Sequence, residues 1–501
     1  MTMEKIGRAM SWSFVARVAA SGVGFAANIF IIRALSKLDW GVGIYSEIRT
    51  VLQFALVFVM IGIDAAILKF APMLRVSGGA ASFARTFRRL VLMQMGVWIV
   101  IFFLSRFGGR FLSVFFRDPS GRFGFYLQVA VVCLIFELFM LLLSNFFQSW
   151  YETKRLAVVM IGGNALYFVL VVVAMRMGLG IAAVFVSAAA MNLVMIVLLL
   201  PRAMRLMQSV SAAGAGPGVG AVLRFSLPFV VTGLLGQIVW RQSEVLFLGH
   251  FKGAEAAGFF WFAYRMPQML LEFVPLTVWP IVMAGMSELY ARDAGNLPRA
   301  IHVYFKLIFL LVVPVAAMGF AFAKPLVPIV YGAKMLPAAL LTQLFFIVFS
   351  YSFLYTPMSM AFYVMGKSWV NMLIFMVLAV IEIGLDLTLI PAYGMWGGIA
   401  SVSIVLFMGV VLFHSAMRRI RPDVRAPVGF IARCSLAAVP TCLLSVLVSR
   451  WSSPAAVAIM IPIGIGLLIG GFRAMKVIGP EEKELIRKLP IPAKERLLAI
   501  F

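Results

Sequence analysis

Charge is what this sequence has least of. Only 12% of its 501 residues are Asp, Glu, Lys or Arg, about half the share that keeps a soluble globular surface wet. A water-facing chain of this size is excluded, and so is a disordered one, because 63% of the residues are hydrophobic. Three cysteines in 501 residues exclude a disulfide-stapled secreted scaffold. Cys434 and Cys442 fall eight residues apart on one helix, about 12 Å by helical rise, too far to bridge. Histidine is as scarce. His250, His302 and His414 are scattered and none neighbours a cysteine, so no zinc spacing exists. No Asp-x-Asp suggests a metal-dependent sugar transferase. Ala361-Phe-Tyr-Val-Met-Gly-Lys-Ser368 resembles a P-loop but lacks its first glycine and its strand. No catalytic constellation and no cofactor site is expected, and the chain reads as a non-enzyme.

What is abundant is apolar run length. A bilayer core about 30 Å thick needs about 20 apolar residues per helix. Fourteen such spans can be placed: 11–34, 42–68, 90–105, 124–149, 156–175, 178–200, 225–250, 257–287, 301–323, 337–363, 368–390, 394–417, 430–449 and 454–474. The expected fold is an all-α polytopic membrane protein. The first apolar run is longer than the 7–15 residues of a signal peptide, so it reads as an uncleaved helix. The remainder is a linker at 203–220 and an amphipathic tail at 476–501.

Acidic residues number 19 against 43 basic ones, a formal charge of +24. In a soluble protein that would suggest nucleic acid. Here the basic residues sort by side instead. An even span number puts both termini together, and that side carries more than twice the Lys and Arg of the other. Its densest groups are Arg85, Arg88 and Arg89, then Arg418, Arg419, Arg421 and Arg425. The positive-inside rule then places both termini in the cytoplasm, facing anionic lipid. The loops opposite are too short to hold a catalytic domain.

The sequence also echoes itself. Phe30–Gly41 lies over Phe247–Gly258, each closing one span and entering the next, and Gly180-Ile-Ala lies over Gly398-Ile-Ala. Phe147–Lys154 loosely matches Met360–Lys367. The expected organisation is two pseudo-symmetric six-helix bundles, 1–202 and 221–420, with two further helices in 421–475. Parallel repeats of this kind are characteristic of transporters, with the binding site near the midplane.

Several short motifs carry a family resemblance: Leu35-Ser-Lys-Leu-Asp-Trp-Gly-Val-Gly-Ile-Tyr45, Phe225-Ser-Leu-Pro228, Leu246-Phe-Leu-Gly-His-Phe-Lys-Gly253, Ala257-Gly-Phe-Phe260, Tyr331-Gly332, Gly366-Lys367, and Ile390-Pro-Ala-Tyr-Gly-Met-Trp-Gly-Gly-Ile-Ala400. As an ordered set over residues 8–475, they resemble the polysaccharide transporter branch of the multidrug/oligosaccharidyl-lipid/polysaccharide (MOP) flippases, including Wzx-type O-antigen flippases. The resemblance implies alternating access and translocation of polyprenyl-diphosphate-linked oligosaccharide across a bacterial inner membrane. It places the chain in lipopolysaccharide or exopolysaccharide synthesis, beside its assembly machinery. A lipid II flippase, a multidrug cation antiporter and a membrane polysaccharide polymerase remain alternatives. Where the family often has Asn around the eleventh span, this chain has acidic side chains, notably Asp386.

Charges inside the spans are candidate site residues. Four are basic: Arg17, Arg49, Arg241 and Arg265. Seven are acidic: Glu47, Asp64, Glu137, Glu244, Glu272, Glu382 and Asp386. Each costs roughly 2.5–3.5 kcal/mol at a helix centre, about 30 kcal/mol together, so they must pair, titrate or face water. The four arginines are the expected diphosphate and sugar contacts, since a guanidinium fork suits phosphate oxygens. Glu382 and Asp386 share a helix face at i,i+4 and are the first choice for coupling to H+ or Na+, followed by Glu244, Asp64 and Glu137. Glu47 and Arg49 lie near a helix end, where snorkelling would suffice. Pro267, Pro275 and Pro280 predict a bent eighth span. Gly466-Leu-Leu-Ile-Gly470 predicts close helix packing.

Overall fold

The computed structural model describes residues 22–38, 40–64, 66–67, 70–71, 80–118, 121–150, 152–208, 218–240, 243–449, 453–480 and 482–483. The protein is all-α, with no strand among the described residues. Among the described residues, twelve helices are long and apolar enough to cross a membrane. In lipid no water can satisfy a peptide group, so each crossing must close its hydrogen bonds within itself. Contacts divide the chain into two compact units, residues 1–258 and 259–501.

The first unit holds α1 (Gly22–Leu35), α2 (Gly41–Met60), α3 (Ala80–Phe115), α4 (Phe123–Ser149), α5 (Thr153–Arg176), α6 (Ala182–Gln208), α7 (Val219–Trp240), α8 (Glu244–Lys252) and the start of α9 (Ala254–Arg292). α6 packs on α4 and α5, while α2 packs on α3, α4, α7 and α8. Its core gathers Val59, Leu138, Phe147 and Leu199. Polar tethers cross it: Trp98 Nε1 donates to Val131 O at 2.9 Å, and Arg202 pairs with Glu152.

The second of the two segments matched within the sequence, 247–258, packs on the start of α2, just past the first segment. A Cβ added to Gly43 would fall 1.8 Å from Ala254 O, and one added to Gly258 would fall 2.7 Å from Gly43 N. Only residues without a side chain let these backbones approach so closely.

Several expected spans have a different form. The third, read as 90–105, is α3, 36 residues long. Its apolar centre carries helical extensions bearing Arg85, Arg88 and Arg89 at one end and Arg106 and Arg110 at the other. At 1.5 Å per residue it is about 54 Å long, well beyond a bilayer core. The second span breaks after Met60, where Ile61 and Gly62 take left-handed φ values of 50° and 66°. Buried Gln94 there donates its Nε2 hydrogen to Met60 O at 3.1 Å, satisfying a carbonyl that the break leaves without a helical partner. The seventh span holds α7 and α8, with residues 241–242 between them outside the described residues. The eighth is one helix, α9, continuous through all three prolines. Of the first span only Gly22 onward is described, and Arg17, Arg241, residues 209–217 of the linker and most of the tail lie outside the described residues.

The second unit holds the rest of α9, α10 (Leu297–Tyr331), α11 (Leu336–Ser352), α12 (Thr356–Val364), α13 (Ser368–Tyr393), α14 (Met395–Ile420), α15 (Val428–Val448) and α16 (Pro454–Ala474). The tenth span is thus α11 plus α12, parted at Phe353–Tyr355. Pro357 explains the break, because it has no N–H to return to Phe353 O and its ring would crowd that carbonyl. α10 packs along α11, α15 and α16, and α13 along α14. Ala321 and Phe322 of α10 meet Leu444, Val448, Val457 and Met460. Lipid is as apolar as these side chains, so packing and hydrogen bonds hold such helices together. Thr441 Oγ1 donates to Gly464 O at 3.3 Å, and Gln343 Nε2 donates to Phe320 O at 2.8 Å. A Cβ on Gly464 would lie 3.0 Å from Phe322, and one on Gly471 2.1 Å from Ala437 O. The close approaches therefore use Gly464 and Gly471. Gly466 and Gly470 have nothing within 4 Å of an added Cβ.

Candidate functional site

Intramembrane charge collects in each unit separately. In the first, Arg49 of α2 pairs with Glu137 of α4 at 3.6 Å, with side chains 36% and 33% exposed. Tyr45 and Tyr167 lie within electrostatic reach of the guanidinium. The pair is therefore partly open, with about a third of each side chain exposed. Asp64 is half-buried just past the Ile61–Gly62 break, and Glu244 is buried in the first turn of α8. Its expected neighbour Arg241 is outside the described residues, as is Arg17.

Glu47, two residues before Arg49, points elsewhere. It is 1% exposed, and its Oε1 lies against Gly249 of α8, where an added Cβ would come within 2.4 Å. Successive odd residues of a helix do not share a face, which is why Arg49 finds Glu137 and Glu47 does not.

In the second unit the helix breaks and spacings build one acidic cluster. Arg265 Nη1 donates to Gln268 Oε1, and Gln268 Nε2 donates to Glu272 Oε1, both at 2.9 Å. The i,i+3 and i,i+4 steps put all three on one face of α9. Both Glu272 and Glu382 act electrostatically on Tyr355, which sits in the α11–α12 break and stacks on Phe413 at 5.0 Å. Glu382 and Asp386 are 1% and 0% exposed, one turn apart on α13. Ser401 of α14 brings its hydroxyl beside Asp386. Asn371 Nδ2 donates to Ser359 O at 3.1 Å, fixing α12 against α13, and Tyr351 donates to Ser403 O at 2.8 Å.

Gln268 joins Arg265 to Glu272 by hydrogen bonds, while Tyr355 lies within electrostatic reach of Glu272 and Glu382 and Ser401 stands beside Asp386. The sequence reading placed the charges and missed these three residues. Gln268 had a readable signal in its spacing from Arg265 and Glu272. Tyr355 had one in Pro357, two residues on. Ser401 had none. Buried carboxyls of this kind can carry a proton, or with added oxygen ligands a cation. Among the described residues no three His, Cys, Asp or Glu side chains gather as a metal site.

The fold has known counterparts. A sequence-family profile described as "Polysaccharide biosynthesis protein" matches residues 30–340. No curated protein matches the sequence. Among solved structures, the chain is similar to the lipid II flippase MurJ in an inward closed conformation. The identity is 13% and the TM-score 0.72, with 92% of this chain and 99% of that one covered. It is also similar to a multidrug resistance MATE family transporter of the MOP superfamily in an outward-facing conformation, at 16% identity and TM-score 0.57, covering 83% and 96%. A MOP superfamily transporter from Pyrococcus furiosus gives 14% identity and TM-score 0.55, covering 82% and 96%. At such identities these likenesses speak for the fold.

Proposed function

The chain belongs to the polysaccharide biosynthesis protein family, and on that premise we propose that it is a flippase. Its substrate is a polyprenyl-diphosphate-linked oligosaccharide, moved across a bacterial inner membrane by alternating access. The family match carries this reading, and the fold shared with MOP superfamily transporters supports it. The glycan is a repeat unit of a surface polysaccharide, either O-antigen of lipopolysaccharide or an exopolysaccharide. Both termini face the cytoplasm, beside anionic lipid and the assembly machinery. The working units are two six-helix bundles, 1–202 and 221–420, joined by the 203–220 linker and followed by the helices of 421–475.

Arg49, Arg265, Arg17 and Arg241 contact the diphosphate and sugar. The partial exposure of the Arg49 side chain supports this assignment, because pairing with one carboxylate uses only some of the five N–H donors of a guanidinium. Glu382 and Asp386 couple transport to H+ or Na+, with Glu244, Asp64 and Glu137 as secondary candidates. Two carboxyls one turn apart in a dry site repel when both ionise, which favours uptake of one positive charge.

The test is a flipping assay on purified protein in liposomes, using a polyprenyl-diphosphate oligosaccharide with a reporter sugar. Exposure of the sugar in the opposite leaflet is expected. Arg49→Ala and the Arg241→Ala/Arg265→Ala pair should insert normally and lose it. Glu382→Gln with Asp386→Asn should keep downhill flipping and lose the response to an imposed cation gradient. Wild-type flipping by the arginine variants would overturn the substrate assignment. The second reading is a lipid II flippase, favoured by the likeness to MurJ. Preferential movement of a lipid-linked muropeptide over other glycans would select it.

A further inference from the structure

Glu47 is left unused by this reading. It is 1% exposed, and neither Oε1 nor Oε2 has a hydrogen-bond partner. Buried carboxylates ordinarily accept several hydrogen bonds or face a cation. Its basic neighbour in sequence, Arg49, is turned to Glu137. The hollow it occupies exists because residue 249 is glycine. Phe116 closes the same hollow, 2.9 Å from where a Gly249 Cβ would stand.

The charges on the packed elements do not compensate it. From the α3–α4 turn, Asp118 acts on Glu47 with a like charge, while Arg117 and Arg122 of that turn are exposed. Asp118 is fixed in place, since its Oδ2 accepts from Phe123 N–H at 2.8 Å and Ser113 Oγ–H at 3.2 Å. From α8, His250 directs Nδ1 to Phe115 O at 2.8 Å and stacks on the Phe115 ring at 4.2 Å. From α4, Glu137 is engaged with Arg49. The one charged residue of α7 is Arg224, beside the Ser226 carbonyl that meets Gly62 at the far end of α2. From α3, Arg106 and Arg110 are exposed.

We propose that Glu47 is a proton-binding site in the first unit, separate from the Glu382–Asp386 pair, and that its proton holds α8 and the start of α9 against α2. The neutral carboxyl fits a dry hollow beside Gly249. The anion would sit there without a donor and face Asp118. Immediately around it, Gly43 abuts Ala254 and Gly258 so closely that no side chain fits. That contact leaves no room for water to solvate a charge, so losing the proton must loosen it. A proton is the ligand that matches. It needs one carboxyl oxygen, whereas a metal cation needs several oxygens around it.

The test uses the full-length protein in lipid nanodiscs and needs no substrate, so it stands apart from the flipping assay. Infrared spectroscopy at neutral pH should show a protonated-carboxyl C=O band that shrinks in Glu47→Gln. A band unchanged by Glu47→Gln overturns the proposal. Hydrogen exchange of peptides spanning 244–258 should rise several-fold with alkaline pH in the wild type, relative to Glu47→Gln at the same pH. Equal exchange in both overturns it. Asp118→Asn provides a second variant that leaves Glu47 in place. The alkaline loosening should shrink there, and a full-sized response sinks the electrostatic account. Glu382→Gln with Asp386→Asn should leave the 244–258 response intact. Its loss in that variant would assign the response to the second unit instead.

Discussion

Single residues show where space and charge are limiting. Gly43 and Gly96 are both helical, yet only Gly43 stands against another backbone. Gly43→Ala should destabilise by about 3 kcal/mol or more, since a methyl cannot enter without moving α9. Gly96→Ala, with nothing within 4 Å, should be stabilising by roughly 0.5–1 kcal/mol. Thermal unfolding in detergent would compare the two, and equal effects would contradict the packing described for 43 and 254. The Arg49–Glu137 pair is different. At about one-third exposure it contributes about 1 kcal/mol or less. Glu137→Gln should therefore fold normally, and its effect should appear in flipping. The sequence named both partners but could not join them, because residues 49 and 137 meet only through tertiary packing. Glu47 was misjudged for a related reason. Its nearness to a helix end suggested snorkelling, and nothing in the sequence revealed that Gly249 and Phe116 would close over it.

Elements are where apolar patterning is strongest and where it blurs. It located the membrane crossings well, because a run of about 20 apolar residues has few other uses. It missed the breaks, since averaging over a span hides a change of φ at one or two residues. The Phe353–Tyr355 break was nonetheless announced by Pro357. Pro357→Ala should let α11 run on into α12 and carry Tyr355 away from Glu272 and Glu382. Amide exchange at 353–358 should slow, while gradient-driven flipping falls. Unchanged exchange there would mean that the break has another cause.

For the whole molecule, the acidic limit should appear first at the chain's C-terminal end. Glu482 Oε1 pairs with Lys306 of α10 at 2.7 Å, and Lys306 also lies 5.8 Å over the Phe430 ring. Burial works to raise the pKa of Glu482, but the hydrogen bond from Lys306 and the N–H of Gly479 outweigh it and bring it below the usual 4.5. A depressed carboxyl stabilises above its unfolded value, and that contribution disappears as pH falls through the folded one. Limited proteolysis after Met475 should therefore accelerate in acid. Lys306→Met should accelerate it at neutral pH and remove the pH dependence. Asp423, held low by the Arg421 hydrogen bond, follows the same sign. That the chain is all-α and crosses the membrane many times was legible from the sequence, although fourteen spans were expected and twelve helices of membrane-crossing length stand among the described residues. The attachment of the last segment to α10 was not, because that contact spans most of the second unit.

The same attachment has a consequence in time. α10 ends at Tyr331, and its partner α15 begins at Val428. At about 5–20 residues per second, a ribosome takes on the order of 5–20 s to bridge that gap. Throughout that interval Ala321 and Phe322 have no Leu444 or Val448 to meet. Nascent α10 must rest against lipid or the insertion machinery until the last pair of helices arrives. A stop codon shortly before Val428 should leave a chain that inserts, stays incompletely assembled, and is cleared by membrane proteases faster than the full-length protein.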